Sequence, residues 1–334
     1  MTIRTMRTSL IVALALVAGW LVQPVAAEEI SRDYHETFEV ETGMRLVLEH
    51  GDGDVEISPW SEDTLEVDVR YRAHASSVGW SRSTEFEVEF RQDGDTIYVV
   101  AHEPKRINVG ISSYREIEYK FTIKAPSYVE LHLEGEDGDV RIDDWNSSIR
   151  LKLEDGDVEM SNIDAPRTEV ILEDGDVEID GIRGDIDINA EDGDVEIFDC
   201  QTEHGRIRGE DGDITIDRCQ GSFEIAVSDG DAYLTEMTAR DMDIRSGDGT
   251  VKMSLLPSDG LDVKVRASDG DVVMDLDAGV SAAFELETGD GEIRLMAADV
   301  SNLQKSRRRT TGQIGGGSGS IYIRTDDGSV TLRQ

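Results

Sequence analysis

Apolar and polar residues alternate in short bursts along most of this chain, and the bursts recur at a nearly fixed interval. Counted from a central glycine, the second residue on is Val55, Val140, Val158, Val177, Val195, Ile214 or Val251. The fourth is Ile57, Ile142, Met160, Ile179, Ile197, Ile216 or Met253. The residue between is mostly charged, as in Glu56, Arg141, Glu159, Glu178 and Glu196. Five residues before the glycine stands a further apolar side chain: Leu133, Leu151, Val170, Ile188, Ile207, Ile225 or Ile244. This alternation predicts two short half-buried strands per repeat, joined by an Asp-Gly turn. Asp and Gly suit the turn because both tolerate positive φ, and the Asp side chain bonds nearby backbone N–H groups.

The glycines at 138, 156, 175, 193, 212, 230 and 249 are 18 or 19 residues apart, and Gly270 and Gly291 follow at steps of 21. Gly328 comes after a longer gap, and a lone copy at Gly53 precedes the series. Asp-Gly is also a hairpin signal, so an antiparallel hairpin array is the competing prediction. A constant period with the same inward pattern in the same chain direction favours parallel layers about 4.8 Å apart. The expected fold is all-β: a parallel β-solenoid (β-helix) with about 18–21 residues per coil, an irregular N-terminal β section and a C-terminal capping coil.

Seven residues after the glycine a third inward position is expected, at Trp60, Trp145, Ile163, Ile182, Cys200, Cys219, Met237 and Leu256. Cys200 and Cys219 thus occupy equivalent places in adjacent coils. Their Cα spacing would suit a disulfide; stacked buried thiols are the alternative.

The ends are less regular. Residues 28–130 read as an N-terminal β section or cap, with strands around Leu65–Tyr71, Phe86–Phe90, Thr96–Val100 and Tyr119–Ile123 and a loop from Pro104 to Arg115. Residues 131–300 are the regular repeats, and 301–334 a basic, Gly-rich loop and a capping coil. Residues 1–27 read as a signal peptide: Arg4 and Arg7 precede an apolar run from Leu10 to Val22, and Val25-Ala26-Ala27 fits a cleavage site. The expected location is therefore periplasmic or extracellular, with no membrane anchor after cleavage.

Charge narrows the function. With 72 acidic against 33 basic residues, the formal net charge is −39. Such a surface repels nucleic acid and anionic membrane, and favours cations or basic partners. Five consecutive repeats carry Glu-Asp-Gly-Asp, which would stack files of carboxylates through Asp137, Asp139, Asp155, Asp157, Asp174, Asp176, Asp192, Asp194, Asp211 and Asp213. Calcium takes six to eight oxygen ligands, so these files are a candidate Ca²⁺ ladder; solvated turns with mobile counterions are the alternative. The chain matches neither an EF-hand loop nor a calcium-binding nonapeptide. The one strongly basic cluster, Arg307, Arg308 and Arg309 beside Lys305, would bind an anionic partner or fold back on the acids.

The six histidines are scattered, and no Ser-His-Asp signature, HExxH or phosphate loop is present. His204 breaks the pattern of its repeat. A catalytic carboxylate pair should differ from its repeats, and here every repeat carries the same acids. No catalytic residue and no required cofactor are expected.

Gly-Asp-Val-Glu-Ile-Ser-Pro-Trp at 53–60, Lys-Ala-Pro-Ser-Tyr-Val-Glu-Leu from Lys124, and Gly-Gly-Gly-Ser-Gly-Ser-Ile-Tyr-Ile-Arg-Thr-Asp-Asp-Gly-Ser-Val-Thr-Leu from Gly315 resemble the DUF4097 putative adhesin family. The resemblance covers nearly the whole mature chain and implies a bacterial, often exported β-solenoid. It carries over no catalytic residue. The expected function is an exported non-enzymatic scaffold with an adhesin-like or envelope protein-interaction role. The alternatives are a Ca²⁺-binding envelope module and, less favoured, a polysaccharide-acting β-helix enzyme. The sequence names no partner.

Overall fold

The computed structural model describes residues 28–83, 86–102 and 106–334. The leader predicted over residues 1–27 lies outside the described residues. Among these the secondary structure is all β, with twenty-five strands in one hydrogen-bonded sheet and no helix.

Each repeat lays one strand on a first face, before its glycine, and one on a second face, after it. On the first face the strand Ile149–Asp155 runs parallel to neighbours on both sides, with Leu151 opposite Leu133 and Val170. On the second face Val158 stands opposite Val140 and Val177, again in parallel strands. Alternation and register together place the inward residues on either side of the turn on their own equivalents one layer away. Leu151, Val170, Ile188, Ile207 and Ile225 are fully buried in this way. Each such side chain contributes about 1.5–3 kcal/mol of transfer free energy. The third inward position is buried at Trp145, Ile163, Ile182, Cys200, Cys219 and Met237. Trp60 and Leu256 depart from the expected series, and Trp60 is half-buried. The register slips between Leu234 and Met237, pairs Met237 with Leu255, and leaves Leu256 half-buried while Leu255 turns inward.

The turn glycines form a column. From Gly138 to Gly270, a Cβ on each turn glycine would overlap the carbonyl oxygen of the turn glycine one layer back. Positive φ is found at Gly53, Gly138, Gly156, Gly175 and Gly193. Close approach, more than turn conformation, is what the whole column has in common.

Both ends depart from sequence order. The copy at Gly53 is not isolated: Leu48 and Val55 sit directly against Leu133 and Val140. The intervening chain covers the other side of that layer. Strands Thr96–His102 and Arg106–Ala125 run parallel to Arg45–Glu49 and Asp54–Pro59, and are backed antiparallel by Glu87–Asp93 and Thr64–Ser83. Glu28–Glu39 closes the cap, antiparallel to Thr64–Ser83. The loop expected from Pro104 to Arg115 is corrected here. Residues 106–115 belong to the strand Arg106–Ala125, whose pairing with Thr64–Ser83 overrides the local turn signals, and residues 103–105 lie outside the described residues.

The expected C-terminal capping coil is also corrected. Strand Gly319–Thr325 lies between Asp262–Ala267 and Ala282–Thr288, and Val330–Arg333 between Val272–Leu276 and Ile293–Met296. The last strands of the chain are therefore interior. The outermost layer is Ala282–Met296, and half of it is covered by the antiparallel strands Arg309–Ile314 and Val300–Lys305.

Candidate functional site

The predicted carboxylate files fall on the turn edge, and their two members do different things. The aspartate after each glycine accepts a hydrogen bond at Oδ1 from the backbone N–H of its equivalent in the next layer. Asp157 N–H donates to Asp139 at 3.0 Å, Asp176 to Asp157 at 3.0 Å, Asp194 to Asp176 at 2.8 Å, and Asp213 to Asp194 at 2.8 Å. The ladder continues through Asp231 and ends when Thr250 N–H donates to Asp231. These bonds satisfy turn N–H groups that lie outside the strand ladders. The aspartate before each glycine, Asp137, Asp155, Asp174, Asp192 or Asp211, has an exposed side chain. Four of these residues accept Gly N–H at their backbone carbonyls: Asp137 from Gly53, Asp155 from Gly138, Asp174 from Gly156 and Asp192 from Gly175. Among the described residues no group of three or more His, Cys, Asp or Glu side chains converges to hold a metal ion.

Opposite the turn edge six consecutive layers, those of Gly138 to Gly230, bend through a left-handed residue. Asp144, Asn162, Asp199, Arg218 and Glu236 have φ of 53° or 54°, and Gly181 holds the equivalent place at 80°. Side chains brace this corner. The Arg218 guanidinium makes a two-pronged contact to Asp199 at 2.8 and 3.0 Å, which holds the Asp199 carboxyl below its usual range. Cys200 and Cys219 lie just inside it, joined by a disulfide with Cα atoms 4.5 Å apart.

Beyond this corner the register shifts in four successive layers: after Asp164, Arg183, Thr202 and Gly221. The shifts open two adjoining concavities of about 680 and 550 Å³ that share Asp185, His204 and Ser222. Gly184 and Gly221 are needed beneath them, since a Cβ at either would overlap the carbonyl oxygen of Ala165 or Thr202. The larger concavity is lined by Arg183, Gln201, Gln220 and Arg240 as well as His204. Arg183 and Arg240 are exposed and make no ion pair or side-chain hydrogen bond among the described residues. The smaller one is a closed charge network. Glu224 accepts from Arg206 at 3.2 Å and Arg245 at 3.1 Å, and Asp243 from Arg245 and Arg266 at 3.1 Å each. Hydrogen bonds from Arg245 and Arg206 hold the Glu224 carboxyl below its ordinary value.

Register also sorts the charges. Arg245, Arg266 and Arg324 stack in one outward file of the first face. Glu159, Glu178 and Glu196 stack in an outward file of the second. The basic cluster at 307–309 divides: Arg308 reaches Asp290 at 2.9 Å, Arg309 reaches Glu285 at 2.8 Å, and Arg307 is exposed. Sequence reasoning singled out His204 but missed Arg183, Gln201, Gln220 and Arg240. Their only signal was that the segment after the left-handed residue varies in length and composition while the turn does not.

One histidine is buried elsewhere. His50 is 6% exposed and packs 5.2 Å from the Phe121 ring, with neither ring nitrogen hydrogen-bonded. Burial pushes its pKa down to about 4.

The family model named Toastrack DUF4097 matches residues 44–222 and, in an overlapping second match, 183–333. No curated protein matches the chain. Among solved structures, a putative adhesin from Parabacteroides merdae ATCC 43184 is similar at 8% identity, with a TM-score of 0.43 and coverage of 91% of this chain and 97% of that one. A putative adhesin from Bacteroides fragilis NCTC 9343 gives 10% identity, a TM-score of 0.38 and coverage of 92% and 98%. A putative lipid binding protein from Parabacteroides distasonis ATCC 8503 gives 12% identity, a TM-score of 0.33 and coverage of 90% and 97%.

Proposed function

The chain belongs to the Toastrack DUF4097 family, and we propose that it is an exported, non-enzymatic β-solenoid scaffold that binds a protein or cell-surface partner through its first face, in an adhesin-like role. The observation that carries this reading is the groove beside Arg183, Gln201, Gln220 and Arg240. It is open and lined mainly by polar residues, and it offers two guanidinium groups without a protein partner among the described residues, on a chain of net charge −39. A cation left unpaired among so many acids is available to a carboxylate or carbonyl of another molecule.

The non-enzymatic half of the reading rests on the adjoining smaller concavity. There Glu224 and Asp243 are neutralised by Arg206, Arg245 and Arg266, an arrangement that fixes charges in place more than it poises a proton donor or nucleophile. The solenoid half is supported by the parallel pairing of equivalent strands from layer to layer, which resumes after each register shift. A scaffold role for the turn acids is favoured over a calcium site because one oxygen of each ladder aspartate already accepts a backbone N–H.

The test is a photo-crosslinking residue placed at Gln201 in one variant and at Glu178 on the second face in another, each expressed in the producing cell. Adducts of one partner from position 201 and none from 178 are expected. Equal labelling at both positions, or none at 201, would remove the groove from the proposal. N-terminal sequencing of the native protein checks export: a mature chain beginning at Glu28 is expected.

A further inference from the structure

The C-terminal strand pair has a geometry separate from the groove and independent of the reading above. Strands Gly319–Thr325 and Val330–Arg333 occupy a slot between two layers that precede them in the chain. Gly328 fills the glycine column between Gly270 and Gly291, and Ser329 N–H donates to Asp271 at 2.7 Å, so the slot is built for this sequence pattern. None of its ladder partners is the strand just before it. Arg309–Ile314 lies on the far side of Ala282–Thr288, which separates it from Gly319–Thr325.

The only covalent link across is the run Gly315-Gly316-Gly317-Ser318, with positive φ at Gly315 and Gly317. Ile314 and Gly319 both stand opposite Ala282, on its two sides. The link therefore spans two strand spacings, about 9.6 Å. Five residue steps reach at most about 17 Å, so the native link closes without strain.

We propose that this slot also takes the strand pair of a second copy of the chain, giving a dimer that exchanges C-termini. Every ladder hydrogen bond and buried contact of the pair is identical in cis and in trans, so only the tether selects between them. A flexible tether this short holds its end at an effective concentration on the order of millimolar. At micromolar concentration each slot is filled by its own chain. Exchange dominates when the protein folds near millimolar concentration, or when the tether is too short to cross. The slot presents the same ladder edges to either source, and nothing in it distinguishes the two.

The test uses the whole mature chain. Lys264 and Tyr322 are outward-facing register partners in adjacent layers, the relation that already joins Cys200 to Cys219. Chains carrying Lys264→Cys and chains carrying Tyr322→Cys are unfolded, mixed, refolded at about 1 µM or about 1 mM, and oxidised. A covalent heterodimer that rises at least tenfold between the two concentrations is expected. Its absence at the higher concentration overturns the proposal, provided that the doubly substituted chain forms the bond within itself. A mismatched pair, Lys264→Cys with Arg294→Cys, should give no such product, and equal crosslinking by it would also overturn the proposal. Independently, deletion of Gly315, Gly316 and Gly317 leaves two residue steps, about 7 Å, across a gap of about 9.6 Å. That variant should be a dimer at micromolar concentration, and a folded monomer would contradict exchange.

Discussion

The turn edge and the corner opposite it are built from the same repeats yet obey different constraints. At the turn edge each glycine touches the carbonyl of the one before, and each following aspartate accepts the next layer's N–H. Identity is fixed there by contacts between equivalent positions, so the glycine persists in every layer and the aspartate after it from Gly138 to Gly230. At the opposite corner the left-handed site accepts Asp, Asn, Gly, Arg and Glu in turn, and the register slips just beyond it. The strict repeat is the mark of the scaffold, and the variable corner is where this protein differs from a generic stack.

The sharpest way to break that contrast is at Gly193, with φ of +134° and a carbonyl of Gly175 where a Cβ would sit. Gly193→Ala should cost about 3 kcal/mol or more, since strained φ alone costs roughly 1–3 kcal/mol. Gly181→Ala at the variable corner, where the nearest atom to a new Cβ is 3.6 Å away, should cost about 1 kcal/mol. Chemical denaturation of the two variants reads the difference directly, and equal losses would dissolve the distinction.

A second effect of similar size lies where the first repeat meets the N-terminal cap. His50 titrates near 4 when folded and at its ordinary 6.5 when unfolded. Between these values the unfolded state binds the extra proton, so stability is lost as pH falls below 6.5 and the loss saturates below about 4. A depression of this size corresponds to about 3 kcal/mol. His50→Leu should remove that part of the slope between pH 6.5 and 4 while leaving the carboxylate contribution. Stability curves of the two proteins that stay parallel over this range would contradict the assignment.

Much of the fold was legible because strand alternation and a fixed period are local properties of sequence. The inward residues, the stacking direction and the equivalence of Cys200 with Cys219 follow from counting. What counting could not supply was which layers touch at the ends. Gly53 meets Gly138 and Gly328 meets Gly270 across long excursions whose length carries no information about where they return. The first part of the strand Arg106–Ala125, read as a loop up to Arg115, was hidden for a related reason, because its partner Thr64–Ser83 is remote in sequence. The groove was illegible because it arises from register shifts, and these decide which side chains of different repeats become neighbours. The Asp-Gly turn was read correctly as a turn. Its glycine, however, answers chiefly to the layer behind it.

A smaller effect separates shape from charge at the turn edge. Asp176→Ala removes the acceptor for Asp194 N–H and should cost about 1.5–3 kcal/mol, the range for a hydrogen bond to a charged group. Asp176→Asn keeps an acceptor oxygen and relieves repulsion along the file, and should change stability by less than about 1 kcal/mol. Smallest of all, Arg183→Ala and Arg240→Ala should leave unfolding within about 0.5 kcal/mol of the parent, because neither side chain has a protein partner among the described residues. Their effect belongs to partner binding, read as loss of the adduct at position 201.

The most direct test of the scaffold account is thermal unfolding of residues 28–334 in EDTA, in calcium and in magnesium at one ionic strength. If the turn aspartates are held by backbone N–H groups and their remaining oxygens face solvent, the two cations should raise the midpoint by the same small amount. A rise of many degrees with calcium that magnesium does not reproduce would contradict the account, and would make the stacked Glu-Asp-Gly-Asp turns a metal site.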